Sequence, residues 1–166
     1  MAPLVRAQRT LVRPQSKLTL HLGVLVQPYR AAGRSGRKPR PTTALTTGDV
    51  ARFLEDKYGI MAAFYRVHQA DVARAIEGSL EGALESVLMG KAIDPWGGGL
   101  QKVDQAFRDF INSKEVENVG IPGTPTRAAI KGINHRLKHP YRKSNPRRPS
   151  FRDTGLYVGS FRSWID

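Results

Sequence analysis

Between Lys17 and Gln27 apolar residues take every second position: Leu18, Leu20, Leu22, Val24 and Val26 fall on one side of the chain. A period of two is that of a strand with one buried face, so KLTLHLGVLVQ is predicted to be a strand. From Met61 to Met89 the period changes. Phe64, Val67, Ala70, Ala75 with Ile76, Leu80, Ala83 with Leu84, and Val87 with Leu88 recur every three or four positions, which predicts a helix of about eight turns. A shorter helix precedes it, capped by Thr46 or Thr47 and starting at Gly48 or Asp49. Its apolar face is Val50, Phe53 and Leu54, and Gly59 is the expected stop. Leu100 to Asn112 is again helical in spacing through Val103, Phe107, Phe110 and Ile111, and Ser113 to Val119 reads as a short helix or strand. Farther on, Thr124 as N-cap and Pro125 in the first helical position open a helix over Arg127 to Lys138. Ala129, Ile130, Ile133 and Leu137 form its narrow apolar stripe, opposite Arg127, Lys131, Arg136 and Lys138.

Glycine and proline punctuate this pattern. Gly78 and Gly82 lie inside the long helix and cost about 1 kcal/mol each relative to Ala, so they either permit close packing against another helix or are tolerated weak points. Asp94-Pro95-Trp96-Gly97-Gly98-Gly99 breaks the helical body, and its glycines predict a hinge or a tight backbone approach. Residues 28–43 are rich in Gly, Pro and Arg with little to bury, and are expected to be an extended arm or linker.

Charge sharpens the picture. Met1 to Gly48 holds nine Lys/Arg and no acid, Asn118 to Arg152 holds nine more and no acid, and Asp49 to Glu117 holds twelve acids against eight bases. The net charge of +13 is therefore an uneven sum of about +9, −4 and +8, a helical body with two polycationic ends, which suit a polyanion or an acidic neighbour. The expected fold is α+β: a mostly helical body with a small sheet and extended basic N- and C-terminal arms. One domain over 1–166 is expected, with arm segments at 1–16 and 28–45, a helical body at 46–117, and a basic helix and aromatic tail at 118–166. The chain has no cysteine, which excludes disulfides and thiolate metal sites and points to the cytoplasm. No apolar run approaches the roughly 20 residues of a membrane span. Arg6, Arg9 and Arg13 imitate a transit peptide, but the alternating segment after them reads as structural.

Catalytic constellations are missing. His135 and His139 share a helical face, yet no acid or cysteine lies near them to complete a metal site, and they read as phosphate or solvent contacts. His68 and Asp71 have the spacing of a helical surface hydrogen bond. Glu77, Glu81 and Glu85 read as a solvated stripe or as the acidic surface that receives a basic arm. The glycine-rich stretches lack the Lys-Ser/Thr of a phosphate-cradling loop. No enzyme, cofactor or metal is expected.

The C-terminus is the most distinctive segment. Arg148-Pro149-Ser150-Phe151, then Asp153-Thr154-Gly155-Leu156, then Ser160-Phe161 form a proline-rich turn, an Asp-Thr-Gly element and an alternation of apolar residues with Ser. Together with GTPTRAAIKGINHRLKHPY before it, this stretch resembles bacteriophage neck, head-tail connector and tail-completion proteins over about 45 residues, Gly120 to Asp166. In that family strands normally follow the Thr-Gly element, whereas this chain stops at Asp166, a departure from the family's pattern. The resemblance implies a non-enzymatic virion subunit, assembled in the host cytoplasm, in a ring of itself of six- or twelve-fold order. The ring's neighbours would be portal, connector, tail-tube or sheath proteins, with genomic DNA in the channel and no membrane. The expected contacts to DNA or an acidic neighbour are Arg34, Arg37, Lys38, Arg40, Arg142, Lys143, Arg147 and Arg148. Phe151, Leu156, Phe161 and Trp164 are the expected subunit interface, although Trp164 closing the chain's own core is an equal reading. Two other classes compete: a baseplate or tail accessory protein, and a nucleic-acid-binding protein of ribosomal or packaging type. The basic arms suit the second, but they carry few aromatics for base stacking.

Overall fold

The computed structural model describes residues 18–28, 45–92, 94–134 and 137–166. The expected arms at 1–16 and 28–45 fall almost wholly outside those residues, as does His135. The fold is α+β, a helical body with a small antiparallel sheet. Its elements in chain order are strand β1 (Leu20–Val24), helices α1 (Thr47–Tyr58), α2 (Ile60–Leu88) and α3 (Gly97–Asn112), a 3₁₀ turn (Glu115–Glu117), the one-turn helix α4 (Arg127–Ile130), the short helix α5 (Leu156–Ser160) and strand β2 (Phe161–Ile165).

Helix α1 begins with a reciprocal cap. The Asp49 amide donates to the Thr46 hydroxyl at 3.2 Å, and the Asp49 carboxylate accepts from the Thr46 amide at 3.0 Å. Thr47 is fully buried and does other work: its hydroxyl donates to the Leu25 carbonyl at 2.5 Å and accepts from the Gln27 amide at 2.8 Å, fastening the end of β1 to the start of α1. Gly59 ends α1 with a φ of +59°, the left-handed conformation that Gly adopts most readily. Having no side chain, it cannot cap α2. The Glu55 carboxylate does so instead, accepting from the amides of Met61 at 2.7 Å and Ala62 at 3.1 Å.

Helices α2 and α3 pack on each other, and the close approach is made by Gly99 rather than by Gly78 and Gly82. A Cβ on Gly99 would lie 2.7 Å from the Ala75 carbonyl oxygen and 3.1 Å from Ile76 Cα, whereas one on Gly78 or Gly82 would meet nothing within 4 Å. The two glycines of α2 are therefore weak points and not a packing groove. The three glycines after Trp96 form the first turn of α3 and serve as the tight approach, not as a hinge. At the centre of the core Phe64, Phe107, Phe110 and Phe161 are fully buried, and Phe161 stacks on Phe107 with ring centroids 3.8 Å apart.

The sheet joins the two ends of the described chain. β1 and β2 run antiparallel with Leu20 opposite Ile165 and Val24 opposite Phe161. Leu20, Leu22 and Val24 pack on the core, while Leu18 and Val26 lie beyond the sheet and are exposed. The alternation thus runs one step past the strand at each end. After the Asp-Thr-Gly element come the short helix α5 and then strand β2, so the departure expected there is smaller than the sequence implies: one strand does follow.

The basic helix expected over Arg127 to Lys138 is one turn long. Its cap is Thr126, whose hydroxyl accepts from the Ala129 amide at 3.3 Å, not Thr124, and the Thr124–Pro125 peptide is cis. The helix stops because Gly132, buried at a φ of +63°, faces the returning chain: a Cβ there would lie 2.5 Å from the Asn145 carbonyl oxygen and 2.6 Å from that of Pro146. The apolar stripe expected along it does not form either, since Ile130 and Leu137 are exposed.

Candidate assembly and polyanion surface

The last forty-odd residues wrap the helical pair, and two serines fasten them. Ser150 is fully buried and donates both its amide, at 2.9 Å, and its hydroxyl, at 2.7 Å, to the Glu117 carboxylate. The same hydroxyl accepts from the Thr126 amide at 2.9 Å, so one residue links the 3₁₀ turn, the α4 cap and the returning loop. Ser163 repeats the arrangement on β2. Its amide and hydroxyl both reach Asp104 Oδ1 at 2.8 Å, which holds the strand against α3. Burial would raise the Glu117 pKa, but the Ser150 hydroxyl and amide, and then Arg147, outweigh it and hold the carboxyl below its ordinary range. Neither carboxylate was singled out from the sequence. Each sits in a helical or turn segment whose acids look alike, and the signal was the pairing of a mid-chain acid with a serine far along the chain.

The expected cation contacts divide. Arg34, Arg37, Lys38 and Arg40 lie outside the described residues. Arg142 and Lys143 are exposed, in a loop with the exposed Lys138, His139 and Tyr141. Asn145 shapes that loop by donating to the carbonyls of His139 at 2.9 Å and Pro140 at 3.0 Å. Arg147 instead pairs with Glu117. Arg148 donates to the carbonyls of Ile133, Pro149 and Arg152, the last two at 3.2 and 2.8 Å. Burial lowers the Arg148 pKa against the opposing pull of Asp153. Both arginines are occupied within the chain because the loop they follow folds back over α4, so of the loop's cations Lys138, Arg142 and Lys143 face outward, beside the exposed Arg127, Lys131 and Arg152.

The expected interface residues divide as well. Phe161 lies in its own chain's core, which removes it from the interface set. Phe151, at a φ of +62°, is half-buried with its ring edge-on to Tyr58 at 4.9 Å, and Leu156 is half-buried. Trp164 is 46% exposed and stacks on His21 at 5.2 Å across the sheet, where it lies over Gly23. His21 is held in turn by Asp166 Oδ1 at 2.7 Å. Trp164 therefore covers the outer face of the sheet instead of closing the core, and its ring keeps a free surface. On α2, His68 Nδ1 lies 3.4 Å from Asp71, the expected surface contact, and its other nitrogen lies 3.1 Å from Glu115.

Among the described residues no group of three or more His, Asp or Glu could hold a metal, and no helix is long and apolar enough to cross a membrane. Comparison of the chain with protein families, curated proteins and solved structures finds no match.

Proposed function

We propose that the chain is a non-enzymatic structural subunit of a bacteriophage virion, one copy of a homo-oligomeric ring at the neck or tail-completion site that joins head and tail around the DNA channel. The observation that carries this reading is the sorting of charge. The body buries or pairs Glu117 and Asp104 internally, while Lys138, Arg142 and Lys143 stand outward on an acid-free stretch. A surface of that kind tolerates a passing polyanion and contacts phosphate without reading sequence. The resemblance of the Arg148–Phe161 stretch to neck proteins supports the same reading. So does a sheet that among the described residues has two strands, with the exposed ring of Trp164 beside its edges, since strand edges are ready-made pairing surfaces.

The test is the solution mass, by light scattering after size exclusion at low and high salt, with and without short duplex DNA. The reading expects a closed oligomer that persists at high salt without DNA. A monomer that shifts only with DNA, and loses it steeply as salt rises, would replace the ring by a basic nucleic-acid-binding protein.

A further inference from the structure

Helix α2 carries an uncovered stripe at its far end. Gly99, in the first turn of α3, packs against Ala75, Ile76 and Ser79, so Leu80 to Leu88 run on past the helix pair for about 13 Å. The return loop covers one side of this part, where Ser79 Oγ donates to the Pro95 carbonyl at 2.8 Å and Ala83 is buried. The rest is bare. Leu80, Leu84 and Leu88 recur every four residues, 37%, 49% and 66% exposed, and Met89 follows at 74%. Glu77, Glu81 and Glu85 run along one flank, exposed, and none pairs with a described cation. From Ala75 to Gly90 the sequence has no Lys or Arg. A leucine stripe flanked by acids asks for an apolar surface flanked by bases.

The fold presents such a surface at the opposite end of α2. Arg127 in α4 and Lys131 at its C-cap stand one turn apart in a row beside Ile130, while Ala129 turns inward and is buried. Ile130 is 54% exposed, both cations are exposed, and neither pairs with a described acid. The stretch around them, Asn118 to Arg152, has no acid at all. Thr126 and Ala128 line one cavity with Val50, Leu54 and Tyr58 of α1, whose end leads through Gly59 into Ile60. α4 therefore sits beside the start of α2, whereas Leu84, in the middle of the stripe, lies about 36 Å farther along that helix. One copy cannot join its own two surfaces. Two copies can, head to tail.

We propose that the exposed end of α2 is the docking site for α4 of a second copy, with Leu80, Leu84 and Leu88 around Ile130 and Glu77, Glu81 and Glu85 against Arg127 and Lys131. The proposal rests on the ring reading above and names the two faces of its seam. Stripe against stripe is a poorer pairing, because a two-fold axis sets glutamate against glutamate. A head-to-tail contact leaves every copy with one free stripe and one free α4, so it repeats until the rotation closes. The leucines supply the part of the contact that salt does not screen, and the charges set its register. Lys138, Arg142 and Lys143 take no part and stay open to phosphate.

Light scattering after size exclusion tests this on the full-length chain. One variant carries Glu77→Lys, Glu81→Lys and Glu85→Lys; the other carries Arg127→Glu and Lys131→Glu. Each should keep the parent's helical circular dichroism. At low salt each should raise the concentration of half-assembly about tenfold, from roughly twofold per surface pair removed and as much again for reversal. A 1:1 mixture of the two should assemble again, because every contact then joins opposite signs, and so should one chain carrying both sets. A parent that is monomeric at every concentration overturns the ring and the seam together. An assembled parent whose mass is indifferent to either reversal, or a loss that neither the mixture nor the doubly reversed chain restores, overturns the seam and leaves the ring standing.

Discussion

Replacing Glu117 with Ala removes the acceptor on which the C-terminal wrap is fastened. Two donors of fully buried Ser150, the amide and the hydroxyl, lose their partner, and each stranded buried donor costs about 1–3 kcal/mol. The hydroxyl rotates to seek another acceptor, which pulls its share toward the low end. Arg147, 49% exposed, returns to water and adds little. The expected loss is about 2–4 kcal/mol, a large fraction of the roughly 5–15 kcal/mol that holds a domain of this kind. Urea denaturation followed by tryptophan fluorescence and by circular dichroism measures it, since Trp96 leads into α3 and Trp164 lies on β2, the strand that the wrap carries.

The pH dependence is a sharper check, made with Glu117→Gln. The folded-state pKa of Glu117 lies below the unfolded value, so its contribution is present above the ordinary 4.5 and lost as pH falls through the depressed folded value. The stability difference between the parent and Glu117→Gln should be flat from neutral pH down to about 4.5 and shrink below it. A cost under about 1 kcal/mol for Glu117→Ala, or a Glu117→Gln difference that does not narrow in acid, would refute the fastening role.

Three further outcomes follow from the packing. Gly99→Ala pushes a Cβ against the Ala75 carbonyl and should cost about 1–3 kcal/mol, whereas Gly82→Ala, facing open space, should gain up to about 1 kcal/mol; thermal melts of the two variants should move in opposite directions. Phe161→Ala empties a fully buried site stacked on Phe107 and should cost about 3–5 kcal/mol, while Trp164→Ala should cost clearly less and leave the helical signal intact, as read by denaturation and circular dichroism. Arg142→Glu with Lys143→Glu should leave stability within about 0.5 kcal/mol and, where the chain binds duplex DNA, flatten the slope of log affinity against log salt by about two.

The helical body was legible because its signals are local. The Phe107 and Phe110 spacing, the Thr46 cap and the Gly59 stop each lie within a few residues of what they determine. The strand was legible as a strand, but its partner was not: nothing near Leu20 says that it pairs with Ile165 at the other end of the chain. The basic helix after Thr126 failed for the same reason, since what ends it is the approach of Asn145 and Pro146, a tertiary contact that overrides a helical pattern. The outward cation set was misread in part because charge alone does not distinguish Arg142, left at the surface, from Arg148, spent on carbonyls.

This division decides which substitutions can report on assembly. Phe161 and Ser163 alternate along β2 with Arg162 and Trp164, and the first pair faces the core. A change at Phe161 destabilises the subunit before any interface is formed, so failure of a Trp164→Ala, Phe161→Ala double variant to assemble would be explained by unfolding alone. Trp164→Ala by itself keeps the core, loses a ring that already spends one face on His21, and bares Gly23 beneath it. If the outer face of the sheet is a subunit contact, this variant should remain folded and lose oligomer mass by light scattering. A folded variant that keeps the parent's oligomer would assign Trp164 to shielding the sheet and place any subunit contact elsewhere on the molecule.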